Sequence, residues 1–511
     1  MPFRLSRRAA MKGALATTSA LAMPSIVRGA SRPALTHGVQ SGDVAHDGAV
    51  VWARADREAR MAVEWSTRED FTDAVRVQPL DVGAPTDLTG KLALHGLPSD
   101  QDVFYRVTML DLADLNAASD PVTGRFRTAP RTARDIRFAW SGDTAGQGWG
   151  IDRDRGGMRA YATMLRHAPD FLIHSGDTVY ADGPLEEEVP LEDGTVWRNV
   201  VTEEKRKVAE TLAEFRGQFL YNMLDDNVRA FNAAVPILAQ WDDHEVTNNW
   251  YPSESLAGDD RYAVKSVDLL AARGARAFHE MMPTRQSQRE PNRVYRKVAY
   301  GPLLDVFFLD LRSYRGANTA NREADGAPFL GDAQIAWLKR ELANSTATWK
   351  VIASDMPIGM MVRDGEAAME NGANGDGPPL GREQDIAAVL RFIKHGGIRG
   401  TVWLTADVHY TAAHHYSPDR ATFQDFEPFW EFVSGPLHSG TFGPSDYDPT
   451  FGPEVRFAKH PEAGQANLPP SAGLQFFGLL DIAADTGAMT VRLMDVGDAE
   501  LWSVTLDPAR G

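Results

Sequence analysis

The chain of 511 residues contains no cysteine. That excludes a disulfide framework, a zinc knuckle, an iron–sulfur cluster and a thiol nucleophile, and it leaves oxygen and nitrogen as the donors for any metal. An excess of positive charge is also missing. Lys and Arg number 53 against 70 Asp and Glu, for a formal charge of -17. The balance argues against a stable nucleic-acid partner gripped by a broad basic face. It does not exclude a small phosphate ester drawn in by local cationic charge. No long hydrophobic run follows the N-terminus, so no integral membrane segment is expected after leader cleavage.

The N-terminus reads as a leader. In "SRRAAMKGALATTSALAMPS", Arg7 and Arg8 precede Lys12 and a short apolar run of small residues, the layout of an export signal. The arginine pair after a serine resembles the twin-arginine signal. Residues 1–30 are therefore expected to be a twin-arginine export signal, cleaved after Ala22 or Ala30. The expected location is periplasmic or secreted, with the twin-arginine machinery as a partner. That route carries folded proteins and suits an enzyme loaded with metal before export.

Two textures follow. Residues 31–130 carry short β-rich runs, "GAVVWARA", "RMAVEWST", "GKLALHGL" and "DVFYRVTML", separated by Gly, Pro and Asp. They predict an all-β immunoglobulin- or fibronectin-like sandwich, with Tyr105 resembling a tyrosine corner. Residues 131–511 alternate apolar strands with helical stretches, as in a layered α/β domain. "LGDAQIAWLKRELANS" predicts a helix capped by Asp332, with Ile335, Leu338 and Leu342 on one face.

The ends of the apolar strands share one chemistry. "IRFAWSGD" ends at Asp143, and "FLIHSGD" at Asp177 with Tyr180 beyond it. "VPILAQWDDHE" ends in Asp242, Asp243, His244 and Glu245, "WKVIASD" at Asp355, and "GTVWLTADVH" in Asp407 and His409. Loops at the carboxyl ends of strands form the ligand crevice of open α/β sheets. A lone Gly-Asp turn can simply cap a helix, but so many acids at one edge repel one another unless cations neutralise them. A carboxylate shared by two metals about 3.5–4 Å apart is a device of phosphoryl hydrolysis. Asp177 is the candidate bridge. Tyr180 is a candidate phenolate ligand, which favours a strongly Lewis-acidic ion.

"GDT" at 142–144, "GDTVY" at 176–180, "DDHE" at 242–245 and "DVH" at 407–409 follow the order of calcineurin-like metallophosphoesterase motifs. "GDTVY" resembles the Gly-Asp-x-x-Tyr of purple acid phosphatases. "HSGDTVYAD", "WDDHEVTNNW", "LDLRSYRG" and "TADVHY" resemble the alkaline phosphatase D family. The resemblance implies a four-layer αββα sandwich behind the β-domain, and a phosphatase acting on phosphate monoesters, diesters or both. It implies Asp143, Asp177, Tyr180 and His409 on a first metal, and Asp177, Asp243 and Asp407 on a second, with Asn248 as a helper. His244 would face the phosphate, and Arg312 and Arg315 are candidate phosphate contacts, with a structural salt bridge as the other role open to them. Fe(3+) and Ca(2+) are the favoured ions, with Mn(2+), Mg(2+) or Zn(2+) as alternatives.

The sequence departs from the family at a missing cysteine after the first strand, which Asp143 would replace. It also has Asp407 where the family has the first histidine of Gly-His-x-His, and Ser354 and Asp355 where a further histidine is expected. A phospholipase or wall-polymer phosphodiesterase on the same site is the enzymatic alternative. A non-catalytic calcium-binding or adhesion protein is the alternative from another class.

Overall fold

The computed structural model describes residues 32–287, 289–375 and 377–508. The expected export signal lies outside the described residues.

Two large sheets stack face to face. The first has nine strands in the order Glu500–Leu506, Met489–Asp495, Phe476–Ile482, Ile136–Ser141, Leu172–Ser175, Ile237–Gln240, Leu35–Gly42, Gly48–Ala55, Thr89–His95. The second has seven, in the order Arg296–Ala299, Leu304–Phe308, Trp349–Ala353, Thr401–Thr405, Phe429–Val433, Thr411–Tyr416, Pro453–Lys459. The central strands of each run parallel, so each sheet delivers its strand ends to one rim.

Strand periodicity explains the layers. Successive side chains point to opposite faces. Phe138, Trp140, Ile173 and Leu238 meet Val306, Phe308, Val351, Ala353, Val402 and Leu404 in a core between the sheets. The alternate residues Ala139, Leu172, Ile237 and Ala239 turn outward under helices Arg159–Arg166, Leu212–Asn222, Asp226–Ala234 and Val267–Met281. Phe307, Ile352 and Trp403 turn outward under helices Asp332–Asn344 and Glu383–His395. Both faces of both sheets are thus covered, which is why the central strands read as unbroken apolar runs. This is the expected four-layer αββα sandwich.

The N-terminal region is all β, as expected, but it is not a separate bead. Its strands Leu35–Gly42, Gly48–Ala55 and Thr89–His95 extend the nine-stranded sheet, with Gly42 in register with Ile237. Strands Ala59–Ser66, Val75–Arg76, Leu80–Val82, Asp102–Leu110 and Val122–Arg127 form a second sheet over them. Lys91 Nζ ties the extension to the end of helix Val267–Met281, donating to the carbonyls of His279, Met282 and Thr284. Arg296 clasps Asp43 at 2.8 Å.

Two local expectations are corrected. Tyr105 is not a corner: it lies mid-strand, paired across to Trp65 and Gly124, and its hydroxyl faces Ser41 rather than a nearby backbone carbonyl. Asp332 does not cap its helix. Gly331, at φ 73, occupies the cap position with no side-chain bond, and Asp332 is the first helical residue, where its charge still suits the helix dipole. Leu338 and Leu342 are buried as expected, with Trp337 beside them.

Buried histidines tie the fold to pH. Burial, with Lys91 adding to it, lowers His279 from 6.5 to about 4. A folded pKa below the unfolded one means stability present above pH 6.5 and lost as pH falls toward 4. His279→Leu is expected to remove about 2 kcal/mol of acid sensitivity across that window, measured as the difference between the two proteins' urea-unfolding free energies at pH 7 and pH 4.5.

Candidate metal centre

At the rim, strands stop abruptly. Asp143 (φ 65), Asp177 (φ 49), Asp407 (φ 67) and His409 (φ 58) all adopt left-handed backbone within four residues of a strand's end. Asp and His tolerate this region better than most residues. The turn swings each side chain back toward the seam between the sheets. Packing is close there: a methyl on Gly435 would lie 2.2 Å from Asp143 Oδ2, and one on Gly146 would lie 2.3 Å from the Tyr180 ring.

Two sets of ligand atoms result. The atoms of Asp143, Asp177 and His409 lie within 4.8 Å of one another, and so do those of Asp177, Asp243 and His244. Asp177 belongs to both. Tyr180 joins the first set, its hydroxyl 2.8 Å from His409 Nε2, and His409 Nε2 is 3.4 Å from Asp143 Oδ1. His409 Nδ1 is 2.5 Å from the carbonyl of Gly440. That contact requires the proton on Nδ1 and leaves the Nε2 lone pair aimed at Tyr180 and Asp143, the arrangement of a metal-ligating histidine.

The electrostatics fit a cation centre. Burial, followed by the charge of Asp242, pushes the Asp143 carboxyl well above the usual carboxylate range. Burial and Asp243 do the same to Asp177, and burial and Glu370 to Asp407. Burial with Asp177 and Asp143 nearby holds the Tyr180 phenol far above its ordinary value. Neither oxygen of Asp143 has a hydrogen-bond partner although the residue is 0 % exposed. Buried polar atoms are normally paired, and unpaired carboxylate oxygens beside a histidine lone pair are a donor set for hard cations.

His244 is held by Asp182, a residue not among the sequence candidates. Asp182 Oδ1 lies 2.7 Å from His244 Nδ1, and the Tyr180 ring stacks on the imidazole at 4.2 Å. Nε2 thus faces the centre, 3.9 Å from Asp243 Oδ1. Burial alone would lower His244, but Asp182 and then Asp243 outweigh it and push it up to about 10. Asp243 is held down at about 2, against its burial, by His244 and Arg312. Glu245 knits the loops together, accepting from Thr178 N and Oγ1 at 2.6 Å and from Asp242 N at 2.9 Å. The sequence signal of Glu245 is its place in "DDHE", and Asp182 closes "HSGDTVYAD" without a role of its own there.

Four candidate residues stand apart from these two sets. Asp407 belongs to neither three-residue set and faces Glu370, Asp242, Arg312 and Asp243. Asn248 is exposed, with its backbone N–H on Asp182 Oδ2 at 2.8 Å. Its neighbour Asn249 donates its N–H to Asp243 Oδ2 at 2.6 Å. Arg312 is not a surface clamp for phosphate. It is 0 % exposed, with Nε on Asp242 at 2.7 Å and Nη2 on Glu370 at 2.5 Å. Arg315 is buried too and donates to the carbonyl of Glu370.

The four-layer fold is a class shared with solved phosphatases. The structure described as "Structure of PhoD" superposes with a TM-score of 0.69 at 22% identity, covering 94% of this chain and 90% of that one. Purple acid phosphatase PPD1 from yellow lupin (Lupinus luteus) seeds superposes with a TM-score of 0.54 at 12% identity, covering 93% and 74%. Alkaline phosphatase D of Bacillus subtilis (strain 168) is 28% identical over 438 residues, 80% of this chain and 70% of that protein. The PhoD-like phosphatase family matches residues 138–493, and the N-terminal domain of PhoD-like phosphatases matches residues 19–130. The chain therefore belongs to the PhoD-like phosphatase family and is a phosphoric ester hydrolase.

Removing Arg312 would strand Asp242 and Glu370 as uncompensated buried charges, a loss of about 3–5 kcal/mol. Arg312→Met is expected to lower the unfolding free energy by that amount while KM for p-nitrophenyl phosphate stays within about twofold, because a group walled off from solvent contributes nothing to uniform substrate binding. A large rise in KM at unchanged stability would restore the phosphate-clamp role.

Proposed function

We propose that the chain is an exported, metal-dependent phosphatase that hydrolyses phosphate monoesters, diesters or both. The observation that carries this is Asp177: one carboxylate shared by two ligand sets, each otherwise built from different strands. Asp143, Asp177, Tyr180 and His409 would hold one cation, and Asp177 and Asp243 the other, with Asp407 as a further candidate ligand of the second. A bound pair of cations supplies a Lewis-acid surface for phosphoryl oxygens and lowers the pKa of water toward neutrality.

The chain's own groups do the remainder. The sheets' rim orients the ester by fixing the ligand carboxylates in left-handed turns. Asp182 holds His244 with Nε2 toward the seam, where it can donate a proton to a phosphoryl or leaving-group oxygen. The phenol of Tyr180, kept neutral by burial and by its acidic neighbours, ionises only against a strongly Lewis-acidic ion. This supports Fe(3+) in the first position. With His244 given to the phosphate, the second set keeps the oxygens of Asp177 and Asp243, which supports Ca(2+), Mg(2+) or Mn(2+) there. Residues 1–30 supply the twin-arginine leader. No described helix is long and apolar enough to cross a membrane.

Asp177→Asn is expected to lose bound metal and hydrolysis of p-nitrophenyl phosphate and bis-p-nitrophenyl phosphate together, each by at least about a hundredfold, while the ratio of the two rates in the parent enzyme sets its ester preference. Full activity in Asp177→Asn would overturn the shared-ligand centre. Tyr180→Phe is expected to abolish a visible charge-transfer band; a colourless, iron-free and active parent would remove iron from the account.

A further inference from the structure

A short hairpin, Arg363–Asp364 paired with Ala368–Met369, turns at Gly365. Polar chains at its two ends lead to adjacent carboxylates of the centre. At the far end, Glu370 holds Arg312, which holds Asp242. At the near end, Asp364 Oδ1 accepts from Asn249 Nδ2 at 3.1 Å, and Asp364 Oδ2 accepts from Asn318 Nδ2 at 2.8 Å. Asn318 Nδ2 also donates to the carbonyl of Asn249 at 2.8 Å.

The direction of these bonds is fixed. Asn318 Oδ1 accepts from Arg315 Nη2 and Arg382 Nη2, both at 2.9 Å. Arginine has no acceptor, so the Asn318 amide can be oriented only with its NH2 toward Asp364 and Asn249. Asp364 must then be the acceptor for both asparagines. Asn249 is gripped by its side chain and by its carbonyl. It is held at φ 56, and its N–H donates to Asp243 Oδ2 at 2.6 Å.

We propose that Asp364 is a positioning residue for the phosphoryl-transfer centre. By clamping Asn249, it makes the Asn249 N–H occupy Asp243 Oδ2, so that Asp243 presents Oδ1 on the side of His244, whose Nε2 is 3.9 Å away. The clamp rests on Asp243 being a metal ligand, as in the proposed function. A hairpin that only stapled the loops together would matter for stability and not for the affinity of the centre. A group that orients a ligand from behind changes metal affinity by about 10–100-fold when removed.

The test uses the full chain stripped by chelator and Mn(2+) alone as the probe, followed by equilibrium dialysis. Asp364→Ala and Asn249→Gly are each expected to weaken Mn(2+) binding about tenfold or more, and the double variant no further than the weaker single one, because both cut one path. Glycine at 249 keeps the N–H and tolerates the left-handed backbone, so Asn249→Gly carries the test on its own if Asp364→Ala does not fold. The melting temperature of the stripped proteins is expected to stay at the parent value. Undiminished affinity in both singles, or multiplying losses in the double, would overturn the clamp. Asp243→Asn is the control: if it too binds Mn(2+) as the parent does, the metal assignment of Asp243 fails, and the two failures are told apart.

Discussion

Like charges forced together out of water govern this structure. Asp143, Asp177, Asp243, Asp355 and Asp407 arrive from both sheets at one seam. Each loses hydration there and gains acidic neighbours. Both effects oppose ionisation, and Asp143, Asp177, Asp355 and Asp407 are pushed well above the usual carboxylate range. Of these, only Asp243 stays low, because His244 and then Arg312 lie against it and outweigh its burial. The buried cations at positions 312 and 244 therefore serve two ends. They keep one carboxylate charged and aimed, and they leave the others dependent on charge brought from outside. A fold of modest net stability can carry such a cluster because the two apolar cores on either side of each sheet are independent of it.

The N-terminal strands contribute to that arrangement by architecture rather than chemistry. They prolong the sheet that carries Asp143, Asp177 and Asp243, and Lys91 and Asp43 fasten the extension to the helix and strand behind the centre. The half of the rim that carries these three is thus part of one continuous nine-stranded sheet. Ligands within a fraction of an ångström of their working geometry need such a rigid support.

Much of this was legible in the sequence because strand ends are written in a simple code: a run of apolar residues, a glycine or small residue, then an acid. That code gave the rim residues at 143, 177, 242–245, 355, 407 and 409, and the alternating faces gave the layers. Other features depend on contacts far apart in the chain. Nothing in "GAVVWARA" tells whether it joins the catalytic sheet or the opposing one, since both demand the same alternation. Arg312 reads equally well as a clamp or a strut until Glu370, 58 residues away in sequence, is seen against it. Asn248 and Asn249 are neighbours of identical type. The left-handed turn at 249 decides which one serves Asp243, and composition does not encode it. Asp182 lies in a loop without periodicity, and its partnership with His244 becomes visible only once the loops are folded.

The seam is expected to exchange protons for cations. Metal-free protein, titrated with Mn(2+) in unbuffered solution at pH 6 and followed in a pH-stat, should release on the order of one or more protons per chain as the buried carboxylates ionise. Asp177→Asn should release far fewer. Binding of Mn(2+) with no proton release would contradict it, for the carboxylates would then already be charged and the seam would need no cation to hold it together.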